Sequence, residues 1–187
     1  MQNHKSLYQR QSLLINANIT QLRQGVALLG QISDLQYSTS PRSLPGQTAG
    51  GHIRHILEFY ECLLGGLDST HVDYDARRRD PMVQNHRGVA IQRLRAVMDW
   101  LSLEPTLRGD GVLMVRMEDA PKGEGYDTFL TSSVARELQV LASHTVHHFA
   151  LVSIILKAHG AEVEQELGVA PSTLRYSSRL VVVAEAA

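Results

Sequence analysis

The chain contains one cysteine, Cys62, among 187 residues, so an internal disulfide is excluded. Such usage suits a reducing compartment, and Cys62 reads as a small buried hydrophobe rather than a nucleophile. An excess of charge of either sign is also missing, because 18 Lys and Arg face 19 Asp and Glu. No basic stripe advertises nucleic acid or an anionic membrane as a partner. Uninterrupted apolar runs of about 18 residues, the length of a membrane span, are lacking too. The opening Met1-Gln-Asn-His-Lys-Ser-Leu has no apolar stretch of signal-peptide type. These absences lead to the expectation of a soluble, cytoplasmic protein with no nucleic-acid or membrane partner. A hydrophobic content of 43% over this length suits a single domain, placed at residues 1–176 with a C-terminal tail at 177–187.

What the chain does have is histidine, nine in all, set into apolar helical patterns. In Ala142-Ser-His144-Thr-Val-His147-His148-Phe-Ala-Leu151, an advance of about 100° per residue points His144 and His148 the same way. Glu137, Val140, Leu141, Leu151 and Ile155 share that direction, whereas Arg136, Ser143 and Ser153 fall elsewhere. Two imidazoles on an apolar face need partners, since burying an unpaired polar group costs on the order of 1 to 3 kcal/mol. A divalent metal satisfies both, and imidazole suits zinc, nickel, copper and iron. Hydrogen bonds to a carbonyl or carboxylate are the alternative. Glu137 lies two turns from His144, roughly 10 Å along the axis, and so reads as a supporting or capping residue rather than a ligand. His147 points about 60° away from His144 and reads as a neighbour.

A second cluster, Gly50-Gly51-His52-Ile53-Arg54-His55-Ile56-Leu57-Glu58-Phe59, opens another amphipathic helix. Ile53, Ile56, Leu57, Tyr60, Leu63, Leu64 and Leu67 recur at core-facing spacing, with Arg54, Glu58 and Glu61 assigned to the wet side. His52 lies inside the apolar arc and His55 just beyond its margin, so periodicity favours His52 as a further ligand.

Elsewhere, Leu7 to Ile32 make a stripe for a first helix over about 5–34, and a Ser- and Pro-rich connection follows from Gln36 to Gly46. The charge-dense stretch from Asp68 to Pro81 reads as salt-bridged surface, from which Tyr74 and Arg77-Arg78-Arg79 could reach an anionic substrate. A third helix is expected over 83–103, with Trp100 packing near its end and His86 exposed. Val112 to Met117 and Thr128 to Thr131 read as a hairpin inserted before the last helix. Ser132 or Ser133 caps that helix and Gly160 ends it. Long amphipathic helices with a crossover and a late insertion predict an all-α four-helix bundle.

The stretches Thr48-Ala-Gly-Gly-His-Ile-Arg-His55-Ile-Leu-Glu58 and Ser143-His144-Thr-Val-His147-His148 resemble the second-helix and last-helix histidine motifs of the DinB superfamily of DinB/YfiT-like metalloenzymes. The resemblance extends over most of residues 5–160. It implies a divalent metal, zinc or nickel with iron as an alternative, held by His144, His148 and one second-helix histidine. The family pattern of a histidine, two apolar positions and an acid falls on His55-Ile-Leu-Glu58, which favours His55 and leaves His52 as a third or fourth ligand. His147, Glu58, Glu137 and Tyr74 become supporting or substrate-contacting residues; no catalytic residue is assigned. The relatives imply a small-molecule substrate, a low-molecular-weight thiol such as bacillithiol or mycothiol, transferred with the metal activating the thiolate. A metal-dependent hydrolase and a non-catalytic, stress-related metal-stabilised binding protein are the alternatives, and a homodimer is compatible with the superfamily.

Overall fold

In the computed structural model, residues 2–103, 105–108, 111–116 and 129–177 are described. The chain is mostly helical. Its elements are α1 (Gln2–Gln31), α2 (Asp34–Ser38), α3 (Ala49–Gly66), β1 (His71–Asp73), α4 (Pro81–Asn85), α5 (Arg87–Leu103), β2 (Val112–Arg116), β3 (Leu130–Ser133) and α6 (Val134–Ala158). Four long helices pack as neighbours around one core: α1 lies against α5 and α6, and α3 lies against the same two. The apolar stripes supply that core, with Leu22, Leu29, Ile53, Leu57, Leu63, Leu94, Leu101, Leu138 and Val152 all buried.

Buried polar groups tie the helices across the core. Tyr60 on α3 donates to Asn18 Oδ1 on α1 at 2.7 Å and lies 3.2 Å from Thr145 Oγ1 on α6. Asn18 Nδ2 in turn donates to the carbonyls of Leu14 and Leu138. Removing the Tyr60 hydroxyl leaves a buried amide oxygen short of its donor. Tyr60→Phe is therefore expected to cost about 1–3 kcal/mol in urea denaturation, despite its apolar gain.

Local chemistry sets the helix ends. Thr48 accepts from Gly51 N at 3.0 Å and starts α3. Ser33 and Gln36 form a reciprocal capping box at α2. Ser133 accepts from Arg136 N to start α6, and Gly160, at φ +75°, follows its end.

The inserted segment is more than a hairpin. β2 and β3 pair antiparallel, with Val112 opposite Ser133. A third strand, β1, pairs parallel to β2 with His71 opposite Met114, giving the order β1-β2-β3. Gly66 makes the approach to β1 feasible, because a Cβ there would lie 2.4 Å from the His71 carbonyl oxygen.

Several expectations are corrected by packing. The third helix is divided into α4 and α5 at His86, which is exposed. Trp100 is 52% exposed and is not core. Glu58 and Ser153, assigned to outward directions, are buried. The hairpin tip and residues 178–187 lie outside the described residues. α6 is long and apolar enough to cross a membrane by composition; here it packs between α1 and α3.

Candidate metal centre

Three imidazoles meet where α3 and α6 face each other. His55, His144 and His148 each offer a ring nitrogen, and these nitrogens lie within 4.8 Å of one another. His55 Nε2 and His144 Nε2 are 3.1 Å apart. Two nitrogens bound at roughly 2.0–2.1 Å to one tetrahedral ion sit about 3.3 Å from each other, so this pair already has the spacing of two ligands. The i, i+4 pair on α6 converges as helical geometry requires, with ring centroids 4.4 Å apart.

The cluster stands at the rim of the core, partly exposed, whereas Thr145 and Phe149 on the same helix are the residues driven fully inward. Burial nevertheless penalises the charged imidazoles. It lowers His55 to about 3, with help from the Arg77 guanidinium. It lowers His148 to about 3 and His144 to about 4, neighbouring histidines adding to the effect. Three neutral imidazoles each keep one unprotonated ring nitrogen near neutral pH. That is a donor set for zinc, nickel, copper or iron, and the grouping includes no carboxylate of the kind that magnesium and calcium prefer.

The same shifts have a consequence for the metal-free fold. Unfolded histidines take up protons around their ordinary value of 6.5, but the folded cluster resists until about 3 to 4. Between those limits the unfolded chain binds more protons, so stability rises with pH. The urea midpoint of metal-free protein is expected to fall as pH drops from 6.5 toward 4, with the dependence weakened in His55→Ala.

His52 is drawn to the site but occupies its outside. Its Nδ1 lies 2.9 Å from His148 Nδ1, and its Nε2 lies 3.3 Å from Gln47 Oε1. A proton on His148 Nδ1 and another on His52 Nε2 satisfy the whole chain and leave Nε2 as the lone-pair nitrogen of His148. His52 thus reads as the residue that orients His148, the usual duty of an outer partner at an imidazole site. His147 is exposed, its ring 5.2 Å from that of His148.

The remaining candidates hold the frame. Phe59 packs edge-on to His144 at 4.2 Å and stacks on Tyr74 at 4.9 Å. Tyr74 is buried, where it cannot meet a substrate, and donates to Glu137 Oε2 at 2.8 Å. Ser132 Oγ donates to the other oxygen of Glu137 at 2.5 Å. Glu137 therefore fastens the segment after β1 to the start of α6, two turns from the histidines. Glu58 performs a similar task at the far end of that segment, accepting from Asp80 N at 2.7 Å. Its other oxygen lies 3.9 Å from Arg54 Nε.

Arg77 is the residue that sequence reasoning undervalued. Within a run of three arginines it looks like solvated charge, yet only 9% of it is exposed. Its Nε donates to the Tyr74 carbonyl at 2.8 Å, its guanidinium lies 4.9 Å from the Phe59 ring centroid, and Nη1 contacts His55 Nδ1. Arg77 also lines a cavity of about 930 Å³ with Glu58, Cys62, Arg93 and Trp100. That cavity is bounded by α3, α5, β1 and the segment after it; His55, His144 and His148 do not line it.

No family model matches the chain. FK506-binding protein 5 of Rhizopus delemar is similar to it, 30% identical over 108 residues, which make up 57% of this chain. The chain covers only 28% of that protein's length. No solved structure matches.

Proposed function

We propose that the protein is a divalent-metal-dependent enzyme of the DinB type, in which the four packed helices form the bundle and His55, His144 and His148 hold the ion. One observation carries the reading: three neutral imidazole nitrogens from two facing helices lie within 4.8 Å of one another at a partly exposed rim. Three protein ligands leave coordination open, and a bound ion there supplies acidification of a thiol or of water. The chain's own residues orient the ligands, through His52 on His148 and Phe59 against His144.

Thiol transfer is the first reading and hydrolysis the second. A hydrolase draws on a general base within hydrogen-bond reach of its water. Of the buried carboxylates among the described residues, Glu137 has both oxygens bonded, to Tyr74 and Ser132, whereas Glu58 accepts from Asp80 N through one oxygen and keeps the other without a hydrogen bond, 3.9 Å from Arg54 Nε. A thiol that ionises on binding needs less proton handling from the protein. On the transfer reading the substrate is a low-molecular-weight thiol plus an electrophilic acceptor.

The test compares metal-loaded and chelator-stripped protein, with bacillithiol, mycothiol and other small thiols offered alongside an activated aryl halide. Conjugation in proportion to metal content is the expected result. Metal-dependent ester cleavage without thiol would replace transfer by hydrolysis. Full metal occupancy with neither activity would move the protein to the binding role.

A further inference from the structure

We propose that Arg77 and a divalent metal are competing partners of His55, making Arg77 the residue that sets how tightly the site holds its ion. This rests on the metal-site reading above and adds to it a residue outside the ligand set.

Guanidinium nitrogens only donate, and arginine stays charged throughout the accessible pH range. The contact from Nη1 therefore requires His55 Nδ1 to be the acceptor, which places the ring proton on Nε2. That proton points toward His144 Nε2, 3.1 Å away, and makes a chain of donors from Arg77 through His55 to His144. The chain is satisfied without metal. A metal on His55 Nε2 needs that nitrogen's lone pair, so the proton must move to Nδ1, where it meets another donor. Imidazole ligands ordinarily give this outer proton to a carboxylate, carbonyl or water, all of them acceptors. Arg77 presents the opposite polarity.

Its position is not incidental. The Tyr74 carbonyl and the face of Phe59 both hold the guanidinium, and Glu58 and Glu137 fasten the segment that carries it. Binding a metal at His55 must therefore break a contact supported from several sides. His52 acts in the other sense, since its Nδ1 can accept from His148 Nδ1 while that ring's Nε2 serves as ligand. The two outer contacts of one site should then change its affinity in opposite directions.

The experiment titrates zinc and nickel against a chromophoric chelator in wild type, Arg77→Met, Arg77→Lys and His52→Ala, with thermal melts of the metal-free forms to verify folding. Arg77→Met should bind metal about tenfold more tightly and His52→Ala about tenfold more weakly, the lower end of outer-partner effects. Arg77→Lys, a donor like arginine, should remain close to wild type. Weaker binding in Arg77→Met would overturn the proposal, because it would mean the guanidinium supports a bound His55 by stabilising its fully deprotonated ring. A second measurement needs no variant and no metal. Nitrogen-15 imidazole spectra of metal-free wild type should place the His55 proton on Nε2; a proton on Nδ1 would refute the competition. If that tautomer is found but no form binds metal, the metal-site reading fails and takes the competition with it, whereas metal binding with the wrong tautomer or the wrong sign defeats the Arg77 proposal alone.

Discussion

Alanine at His144 or His148 is expected to abolish metal retention, because each change removes one of three nitrogens and leaves a pair too few for a stable site. The loss should exceed the roughly 10- to 100-fold penalty of removing an outer partner. His55→Ala belongs in the same class, and His52→Ala does not. His159→Ala supplies the control at the C-cap of the same helix: His159 Nε2 sits 2.9 Å from the Thr39 carbonyl oxygen, at the far end from the cluster. It should keep its metal. Metal content after gel filtration separates these outcomes, and retention by both His144→Ala and His148→Ala would remove the site from α6.

The second large effect concerns the backbone that carries His52 and His55. Gly50 is fully enclosed at the start of α3, and a Cβ there would lie 1.9 Å from the Gln84 carbonyl oxygen and 2.9 Å from Tyr37 Cε1. Tyr37 is itself fixed, donating to the Val83 carbonyl at 2.6 Å. Neither neighbour can yield without moving α4 or α2. Overpacked cores lose about 1–3 kcal/mol and sometimes more, and a main-chain collision belongs at or above the upper end. Gly50→Ala should lower the melting temperature by roughly 10 °C, at about 2–4 °C per kcal/mol for a chain of this size. Gly30→Ala meets no atom within 4 Å and should leave the melting temperature unchanged or raise it. Equal melting temperatures for Gly50→Ala and wild type would refute this packing account.

Helical periodicity made the long helices legible, because α3 and α6 bury one face and expose another. It also brought His144 and His148 to one side. Where it misled, the cause lies in the site's position. His55 falls beyond the edge of the apolar arc of α3, and the three-histidine cluster stands at that rim; His52, deeper in the arc, reaches the outer nitrogen of His148 and Gln47 instead. Glu58 was assigned to solvent because periodicity registers only the helix's own face, whereas the segment ending at Asp80 folds over it. β1 escaped notice as three residues inside a charged stretch, paired to residues 43 positions later. Arg77 was hidden by Arg78 and Arg79, since nothing in three identical neighbours says which one turns inward. Tyr74, three residues before it, was the available signal: Arg77 follows directly on the short turn Tyr74–Ala76, and both are buried.

Metal content per chain, measured by mass spectrometry on untagged wild-type protein purified without added metal and again after reloading, tests the central claim most directly. Close to one transition-metal ion per chain is expected, lost when His144 is replaced. Wild-type protein that holds no ion even after reloading would contradict it, and the histidines would then be a hydrogen-bonded cluster with no ion to bind.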